Sequence, residues 1–209
     1  MIGRPRLHLR TTTSTNDRAR ELATTGAPHG TLVTAEEQRA GRGRQGRTWV
    51  APAGSSLLLS VVLRETDPLL PLRAGLAVAD LAGAAALVKW PNDVLLDGRK
   101  VAGVLVEARP QEGWAVLGIG VNAALDIDEL PPELRETAGT LGLTDLEAAL
   151  NELLEHLDRR LTEPAEATLR ALSDRDALLG RPLVWAGSEG TGAGIDTHGR
   201  LRVSLRGGD

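Results

Sequence analysis

The chain has no cysteine, no tyrosine and no phenylalanine, and four tryptophans are the only aromatic side chains among its 209 residues. Without cysteine there are no disulfide bonds, no thiolate catalysis and no cysteine-ligated metal. No apolar run approaches the roughly 18 residues that a membrane-spanning helix needs. The N-terminus, MIGRPRLHLR, is basic but lacks the apolar core of a secretory signal. These absences predict a cytoplasmic protein that does not bind membranes.

Lysine is even scarcer than the aromatic residues. Of the 24 basic residues only Lys89 and Lys100 are lysine, and the rest are arginine. Two interpretations are open: chance or codon bias, or two positions that need a compact ammonium where a guanidinium does not fit. The net charge of −4 and the isoelectric point of about 5.6 argue against a protein whose main task is nucleic-acid binding, although they leave room for a local basic loop.

The order of the predicted elements indicates an α+β fold. Hydrophobic residues make up 42% and charged residues 25%, as in an ordinary globular protein. Strands cluster in the middle of the chain with helices on both sides, which favours a mixed or antiparallel sheet over regular βαβ alternation. The pattern predicts helices over 14–26, 70–87, 144–161 and about 164–173, and strands over 30–38, 55–65, 87–96, 99–109 and 113–125.

Two further features concern the second half of the chain. Thr144 is the predicted N-cap of the helix over 144–161, with Glu147 at the capping-box position. From Gly180 onwards the sequence consists of short strands and glycine turns, typical of a small β unit. We therefore expect a main domain over 1–176 and a small β domain over 177–209.

The stretch GRGRQGRTW, residues 41–49, has the G-x-G-x-x-G spacing of a dinucleotide fingerprint. That fingerprint needs a helix to begin within it, whereas here Pro52 and another strand follow. The arginines at positions 42, 44 and 47 lie on a glycine-rich backbone that suits a carboxylate or phosphate, and Trp49 could stack on a base. A solvated basic loop and an RNA-binding segment are the alternatives, but RNA-binding tails of this kind are repetitive.

The segment KWPND, residues 89–93, is the second candidate motif. Pro91 interrupts the strand, and Asn92 and Asp93 follow at the bend, where their oxygens could reach a ligand or Mg²⁺. A plain Asn-Asp turn is the alternative. Lys100 begins the next apolar strand, where Gly103 indicates a close backbone approach; an edge lysine that hinders aggregation would look the same.

Two weaker motifs complete the set. GIGVN, residues 118–122, ends an apolar strand with room for a ligand at Gly118 and a bidentate amide at Asn122. STN, residues 14–16, has the composition of an ordinary helix N-cap. The sequence contains no G-x-S-x-G and no H-E-x-x-H, so hydrolase and zincin chemistry are not indicated.

Taken together, these motifs resemble the biotin protein ligases. STN, EEQRAGRGRQGRTW (36–49), KWPNDV, RKVAGVLVE (99–107) and GIGVN occur in the order and spacing of that family, and the resemblance runs from about residue 10 to the end of the chain. It implies a catalytic domain like that of class II aminoacyl-tRNA synthetases followed by a small SH3-like β domain. It also implies a two-step reaction, in which biotin and MgATP give biotinyl-5′-AMP and a lysine of a biotin carboxyl carrier domain then accepts the biotinyl group.

The resemblance also assigns roles to residues. Lys100, Arg42 and Arg44 are expected to act in catalysis, and Asp93 is expected to bind Mg²⁺. The residues expected to contact biotin are Ser14, Thr15, Asn16, Gln38, Arg42, Gly43, Arg44, Lys100, Gly103 and Gly118. The residues expected to contact ATP are Arg44, Arg47, Trp49, Lys89, Asn92 and Asn122.

The chain departs from the family pattern at both ends. Only 13 residues precede STN, so we expect no helix-turn-helix domain and no DNA binding. For the assembly we expect a monomer or homodimer. The family pattern continues beyond GRLRVSLRGGD, so the small β domain is expected to be truncated. Two alternatives stay open: a lipoate–protein ligase, which shares the fold and the adenylate chemistry, and a nucleic-acid-binding module that uses the basic loop.

Overall fold

A computed structural model describes residues 1–185 and 187–205. The helices are α1 (Thr15–Thr24), α2 (Leu70–Ala82), α3 (Pro132–Arg135), α4 (Leu146–Thr162) and α5 (Ala165–Arg175). The strands are β1 (Arg6–Thr12), β2 (Leu32–Gln38), β3 (Ser56–Leu63), β4 (Leu87–Lys89), β5 (Asp93–Leu96), β6 (Arg99–Arg109), β7 (Trp114–Asn122), β8 (Pro182–Trp185), β9 (Ser188–Ile195) and β10 (Leu201–Leu205).

The first seven strands form one sheet in the order β1-β2-β3-β7-β6-β5-β4. Only β1 and β2 run parallel, and every other neighbouring pair is antiparallel. The expected mixed sheet is thus confirmed. The sequence did not predict β1, because the segment RLHLRTT is polar enough to resemble a surface loop; it lies at the edge of the sheet, where side chains stay exposed.

The two faces of the large sheet are covered unequally. Helices α2, α4 and α5 pack on one face, where buried leucines, valines and alanines form the main core around Leu76, Leu117 and Leu153. On the other face, Ala19 and Ala23 of α1 pack on Val62 and Val116 near one end of the strands. The remainder of that face is left for the loops.

The ends of three helices refine the sequence interpretation. The Ser14 hydroxyl accepts a hydrogen bond from the Asn16 amide and caps α1, as its composition predicts. The predicted helix over 70–87 ends at Ala82, because Gly83 adopts a φ of 96°. The N-cap of α4 is Asp145, whose carboxylate accepts from the Ala148 amide, so the prediction of Thr144 was wrong by one residue.

Glu147 also differs from its predicted capping-box role. Its carboxylate receives the Arg6 guanidinium, with Nη2 at 3.0 Å from Oε2, and so ties α4 to the edge strand β1. This hydrogen bond lowers the pKa of the Glu147 carboxyl and outweighs the opposing effect of burial. Because the N-cap is Asp145, Glu147 lies one residue before the position that a capping box requires, and its carboxylate pairs with Arg6 instead.

Asp80 joins the three helices of the core face. Its carboxylate, near the end of α2, pairs with Arg159 and Arg160 of α4 at 2.7 Å and with Arg175 of α5 at 3.5 Å. Burial by itself would raise the pKa of Asp80, but the hydrogen bonds and charges of Arg160 and Arg159 outweigh it and lower the pKa. The carboxylate is therefore held in its charged form.

The last three strands form a separate antiparallel sheet in the order β10-β9-β8. The turn between β9 and β10 is held by Asp196, whose pKa is lowered to about 2, chiefly by a backbone hydrogen bond from Arg200. The same turn contacts the large sheet, since Trp90 donates its indole N–H to the Gly199 carbonyl at 2.9 Å. Residues 186 and 206–209 of the predicted domain over 177–209 lie outside the described residues.

Among residues 1–185 and 187–205, no helix has the length and apolar character needed to cross a bilayer.

Candidate active site

A cavity of about 410 Å³ opens on the loop-covered face of the large sheet. Every residue that the sequence analysis assigned to biotin, ATP or Mg²⁺ lines it. These residues are Ser14, Thr15, Asn16, Gln38, Arg42, Gly43, Arg44, Arg47, Trp49, Lys89, Asn92, Asp93, Lys100, Gly103, Gly118 and Asn122. The fold therefore brings five motifs, separated by up to about half the chain, around one concave site.

The charge of the cavity lining is strongly positive. Five basic side chains line it: Arg42, Arg44, Arg47, Lys89 and Lys100. Asp93 is the one carboxylate among the described lining residues. Clustered cations in a concave, partly desolvated site attract anions and stabilise developing negative charge. The lining thus suits a ligand that carries several negative charges.

One end of the cavity is a buried polar network built on the start of α1. Gln38 accepts hydrogen bonds at its side-chain oxygen from the Thr15 amide at 2.7 Å and the Thr15 hydroxyl at 3.1 Å. The Ser60 hydroxyl lies 2.6 Å from the side-chain oxygen of Asn16 and 2.8 Å from the Thr15 hydroxyl. These contacts fix the polar groups in place, which gives the end of the cavity a defined hydrogen-bonding pattern.

Glycines of β6 and β7 form the floor of the cavity. A Cβ at Gly118 would lie 2.0 Å from the side-chain oxygen of Asn16, and a Cβ at Gly120 would lie 2.6 Å from the Trp49 ring. A Cβ at Gly103 would also approach the Trp49 ring, at 3.0 Å. Each of these glycines therefore leaves space that a neighbouring side chain occupies, whereas the sequence analysis expected a close backbone approach at Gly103 and room for a ligand at Gly118.

The loop over 41–49 folds back on itself above this floor. Arg42 and Thr48 form an isolated bridge, and the Gly43 amide donates to the Arg47 carbonyl at 2.7 Å. A single 3-10 turn spans Arg44–Gly46, with Gln45 at a φ of 57°. No helix begins here, which confirms that the glycine spacing is not a dinucleotide fingerprint.

The three arginines of the loop have different surroundings. The Arg42 guanidinium lies 2.9 Å from Asp17 and 3.3 Å from Glu107. In the described part of the chain the Arg44 side chain has no hydrogen bond or ion pair, and the Arg47 side chain has only a 3.5 Å contact with Gln45. Arg44 and Arg47 are thus available for an anion, whereas Arg42 is neutralised.

Lys100 lines the cavity beside Asp93 and Trp49. Its Nζ is 2.7 Å from Asp93 and 5.6 Å from the centroid of the Trp49 ring. The pairing of β5 with β6 skips one residue between Val94↔Ala102 and Leu95↔Lys100. This β-bulge places Val101 in the core and turns Lys100 towards the cavity.

The two asparagines of the predicted nucleotide site bind the backbone. Asn92 donates its side-chain amide to the Val104 carbonyl at 2.9 Å. Asn122 donates to the carbonyls of Gly139 at 2.9 Å and Lys100 at 3.3 Å. Asn122 therefore holds the segment around Gly139 against β6, and both asparagines keep their side-chain oxygens for other partners.

The chemistry of Asp93 is compatible with Mg²⁺ only as a shared site. Within the described residues no group of three or more histidine, aspartate or glutamate side chains is arranged to hold a metal. Mg²⁺ in nucleotide sites is often held by one or two carboxylates together with phosphate oxygens, and Asp93 supplies one such carboxylate.

Sequence reasoning missed three parts of the site. Gly120 belongs to the quoted GIGVN motif but was not singled out, and Glu107 ends the quoted RKVAGVLVE motif without a role of its own. The rim formed by Leu130, Leu134 and residues 137–138 could not be predicted, because contacts distant in sequence, such as the bridge from Ala138 to Lys100, bring it to the cavity.

The chain is similar in sequence and in structure to known proteins. The model of the biotin/lipoate A/B protein ligase family matches residues 8–123, more than half of the chain. The biotin–[acetyl-CoA-carboxylase] ligase of Mycobacterium tuberculosis is 35% identical over 221 aligned residues, covering 94% of this chain and 82% of that protein.

The bifunctional ligase/repressor BirA of Bacillus spizizenii is 40% identical over 140 residues, 61% of this chain. The match spans only 43% of the length of that relative. The solved structure of the biotin protein ligase from Aquifex aeolicus in complex with biotin and ATP superposes with a TM-score of 0.82 at 25% identity, covering 98% of this chain and 97% of that one.

The chain therefore belongs to the biotin/lipoate A/B protein ligase family, and its resemblance to the biotin protein ligases is confirmed.

Proposed function

We propose that this protein is an ATP-dependent ligase that activates biotin as biotinyl-5′-AMP and transfers it to a lysine of a biotin carboxyl carrier domain. The observation that carries the proposal is the single cavity of about 410 Å³ lined by all five motifs, with five basic side chains and one carboxylate. The names of the relatives support biotin over lipoate as the acid.

In the first step a carboxylate oxygen of biotin attacks the α-phosphorus of ATP, and the bond to the pyrophosphate oxygen breaks. Two anions must approach each other, so the site has to supply positive charge where negative charge develops. Lys100 is the group that we assign to the carboxylate and the new bridging oxygen. Arg44 and Arg47, which lack acidic partners in the described part of the chain, are the groups that we assign to the adenylate and the phosphates.

The binding roles divide along the floor of the cavity. One end presents the buried polar groups of Ser14, Thr15 and Asn16 and the partly buried amide of Gln38. This end suits an uncharged polar head such as the ureido ring of biotin. Trp49, beside Gly103 and Gly120, presents an aromatic face that could stack on adenine. Lys89, Asn92 and Asn122 lie on the same side and are assigned to the nucleotide, and Gly43 and Gly118 to close approach by biotin.

In the second step the lysine amine of the carrier attacks the acyl carbon, and AMP leaves. The mixed anhydride is labile, so water has to be excluded until the acceptor arrives. The loop over 41–49 covers the cavity and can perform this task. No covalent bond to the enzyme is needed, in agreement with the absence of cysteine.

Mg²⁺, when bound with ATP, would neutralise phosphate charge. Asp93 is the side chain that we assign to it. The Asp93 carboxylate also pairs with Lys100 at 2.7 Å, so nucleotide binding is expected to divide this carboxylate between the cation and the lysine.

Three broader assignments belong to the same proposal. The large sheet is taken as a catalytic domain of the class II aminoacyl-tRNA synthetase type over 1–176, and the small sheet as an SH3-like domain over 177–209. The acceptor is a biotin-dependent carboxylase in the cytoplasm, and the protein acts as a monomer or homodimer without binding DNA.

The proposal is tested by measuring pyrophosphate release from ATP with purified protein. Biotin is expected to stimulate release, and a biotin carboxyl carrier domain is expected to become biotinylated. Stimulation by lipoate but not by biotin would identify a lipoate–protein ligase. Salt-sensitive binding of nucleic acid without pyrophosphate release would favour the binding module instead.

A further inference from the structure

Glu107 is a carboxylate just outside the cavity that no step of the proposed reaction uses. It lies near the end of β6, paired with Val116 of β7, and its side chain is 25% exposed. Because β6 side chains alternate, Glu107 shares the cavity face with Gly103 and Leu105. It is therefore close to the ligand site without lining it.

The two carboxylate oxygens of Glu107 face two different parts of the site. Oε2 accepts a hydrogen bond from the Asn16 side-chain amide at 2.8 Å. Oε1 lies 3.3 Å from the Arg42 guanidinium and 3.9 Å from that of Arg20. One side chain thus joins the buried wall at the start of α1 to the loop over 41–49.

Asp17 completes the cluster from the opposite side. Its Oδ1 receives Arg42 and Arg20, each at 2.9 Å. Two carboxylates and two guanidiniums balance in charge, so Arg42 is satisfied by the protein itself, in contrast to Arg44 and Arg47. A partly buried network of charge-assisted hydrogen bonds is stronger than an isolated surface pair.

The Asn16 end of the network is rigid. Asn16 is 3% exposed, its side-chain oxygen accepts from Ser60 at 2.6 Å, and the absence of a side chain at Gly118 leaves room for it. The loop end is held by the contacts of Arg42, by backbone bonds within the loop, and by the Trp49 ring, which lies against Gly103 and Gly120. Glu107 therefore connects this buried wall to the loop that covers the cavity.

We propose that Glu107 is a positioning residue that latches the loop over 41–49 in its closed position through Arg42 while it orients Asn16. The latch would set how long the cavity stays closed around the adenylate. The inference rests on the proposed function for its kinetic consequence, but the latch itself concerns only residues of this chain.

The first test is limited trypsin digestion, since Arg42, Arg44 and Arg47 are cleavage sites inside the loop. Glu107→Gln keeps an acceptor for Asn16 but removes the charge that faces Arg42. Cleavage within the loop is expected to become about tenfold faster than in wild type, as expected for loss of one charged contact. Glu21→Gln is the matched control. Glu21 pairs with Arg18 at 2.7 Å, and both lie on α1, away from the cavity.

A double-variant comparison separates the latch from general destabilisation. Arg42→Gln removes the other end of the contact and also one trypsin site, so cleavage is compared only after Arg44 and Arg47. There the combination with Glu107→Gln is expected to digest no faster than Arg42→Gln alone. Additive effects would show that the two residues act independently and would overturn the proposal. Equal digestion of Glu107→Gln and wild type would overturn it as well.

The kinetic test uses pyrophosphate release with biotin and ATP but without an acceptor protein. A loosened latch lets the adenylate escape, so Glu107→Gln is expected to raise both the steady-state rate and the KM for biotin by several fold. A merely misfolded variant would lose rate instead. Absence of biotin-dependent turnover in wild type would refute the proposed ligase activity, and the digestion experiment would still decide the latch.

Discussion

The two faces of the large sheet differ in their packing and in the pairing of their charges. On one face, α2, α4 and α5 cover large apolar side chains, and the charges that remain, such as Asp80, are paired. On the other face, glycines replace large side chains along β6 and β7, and several cations lack acidic partners in the described part of the chain. One face is built for stability, and the other leaves space and charge for ligands.

The ligand face lowers the stability of the protein, and the apolar face offsets this loss. Empty volume and uncompensated positive charge destabilise a protein, so they are tolerated where the opposite face is well packed. Substitutions on the apolar face should therefore change stability and leave the activity of folded molecules intact. Substitutions on the glycine face should do the reverse.

The sharpest test of the ligand face is Lys100→Arg. The ammonium lies 2.7 Å from Asp93, and a Cβ on Gly103 would be only 3.4 Å from it, so the larger guanidinium does not fit the same position. Biotin-dependent pyrophosphate release should fall by about 10²–10³-fold, the usual loss when a group that stabilises transition-state charge is removed. The thermal midpoint should change little. Turnover close to wild type would contradict the role of a compact ammonium.

The corresponding test of the apolar face is Leu153→Ala in α4. Leu153 is completely buried in the core, and its truncation should lower the free energy of unfolding by about 3 kcal/mol. Urea unfolding measures this loss, and turnover per folded molecule should stay unchanged. Val184→Ala, at a position 76% exposed, is the matched control and should shift stability by less than about 0.5 kcal/mol. Equal effects at both positions would contradict the assignment of the core.

Asp80→Asn tests the charged part of the apolar face. Loss of the carboxylate removes the charged hydrogen bonds that Arg159 and Arg160 donate to it, and stability at pH 7 should fall by about 2 kcal/mol. Because the pKa of Asp80 is lowered on folding, its contribution is complete above the ordinary aspartate pKa and is lost as the pH falls through the folded-state value. The difference between wild type and variant should therefore shrink below about pH 4. A difference that is independent of pH would show that charge is not its source.

A finer test separates the two ends of the cavity floor. Gly118→Ala would place a Cβ against Asn16, and Gly120→Ala would place one against Trp49. We expect the first to raise the KM for biotin and the second to raise the KM for ATP, each by about tenfold, or about 1.4 kcal/mol. Initial rates at varied biotin and ATP measure both. The same KM changing in both variants would contradict the division of the floor.

The sequence predicted the ligand face better than the details of the core. The motifs predict the residues that line the cavity, because glycine, arginine and asparagine are unusual within and beside apolar strands. The sequence predicted no role for Glu107 or Asp17, because a carboxylate on a strand or helix cannot be distinguished from an ordinary exposed charge until its partners are known. The bulge at Val101, which aims Lys100, has no signature in the apolar run VAGVLV.

Errors elsewhere have similar causes. The edge strand β1 contains too many polar residues to be distinguished from a loop, and pairing with β2 decides its conformation. At the start of α4, Thr144 and Asp145 are both good caps, and composition cannot choose between adjacent candidates. The end of α2 was misplaced because alanine continues the helical pattern up to and beyond Gly83.

Calorimetry with wild-type protein tests the central claim most directly. Biotin titrated into the protein is expected to bind at one site, and ATP added afterwards to release heat from adenylate formation. Lipoate at the same concentration is expected to give no comparable signal. The absence of biotin binding, or equal binding of lipoate, would contradict the account of this cavity as a biotin site.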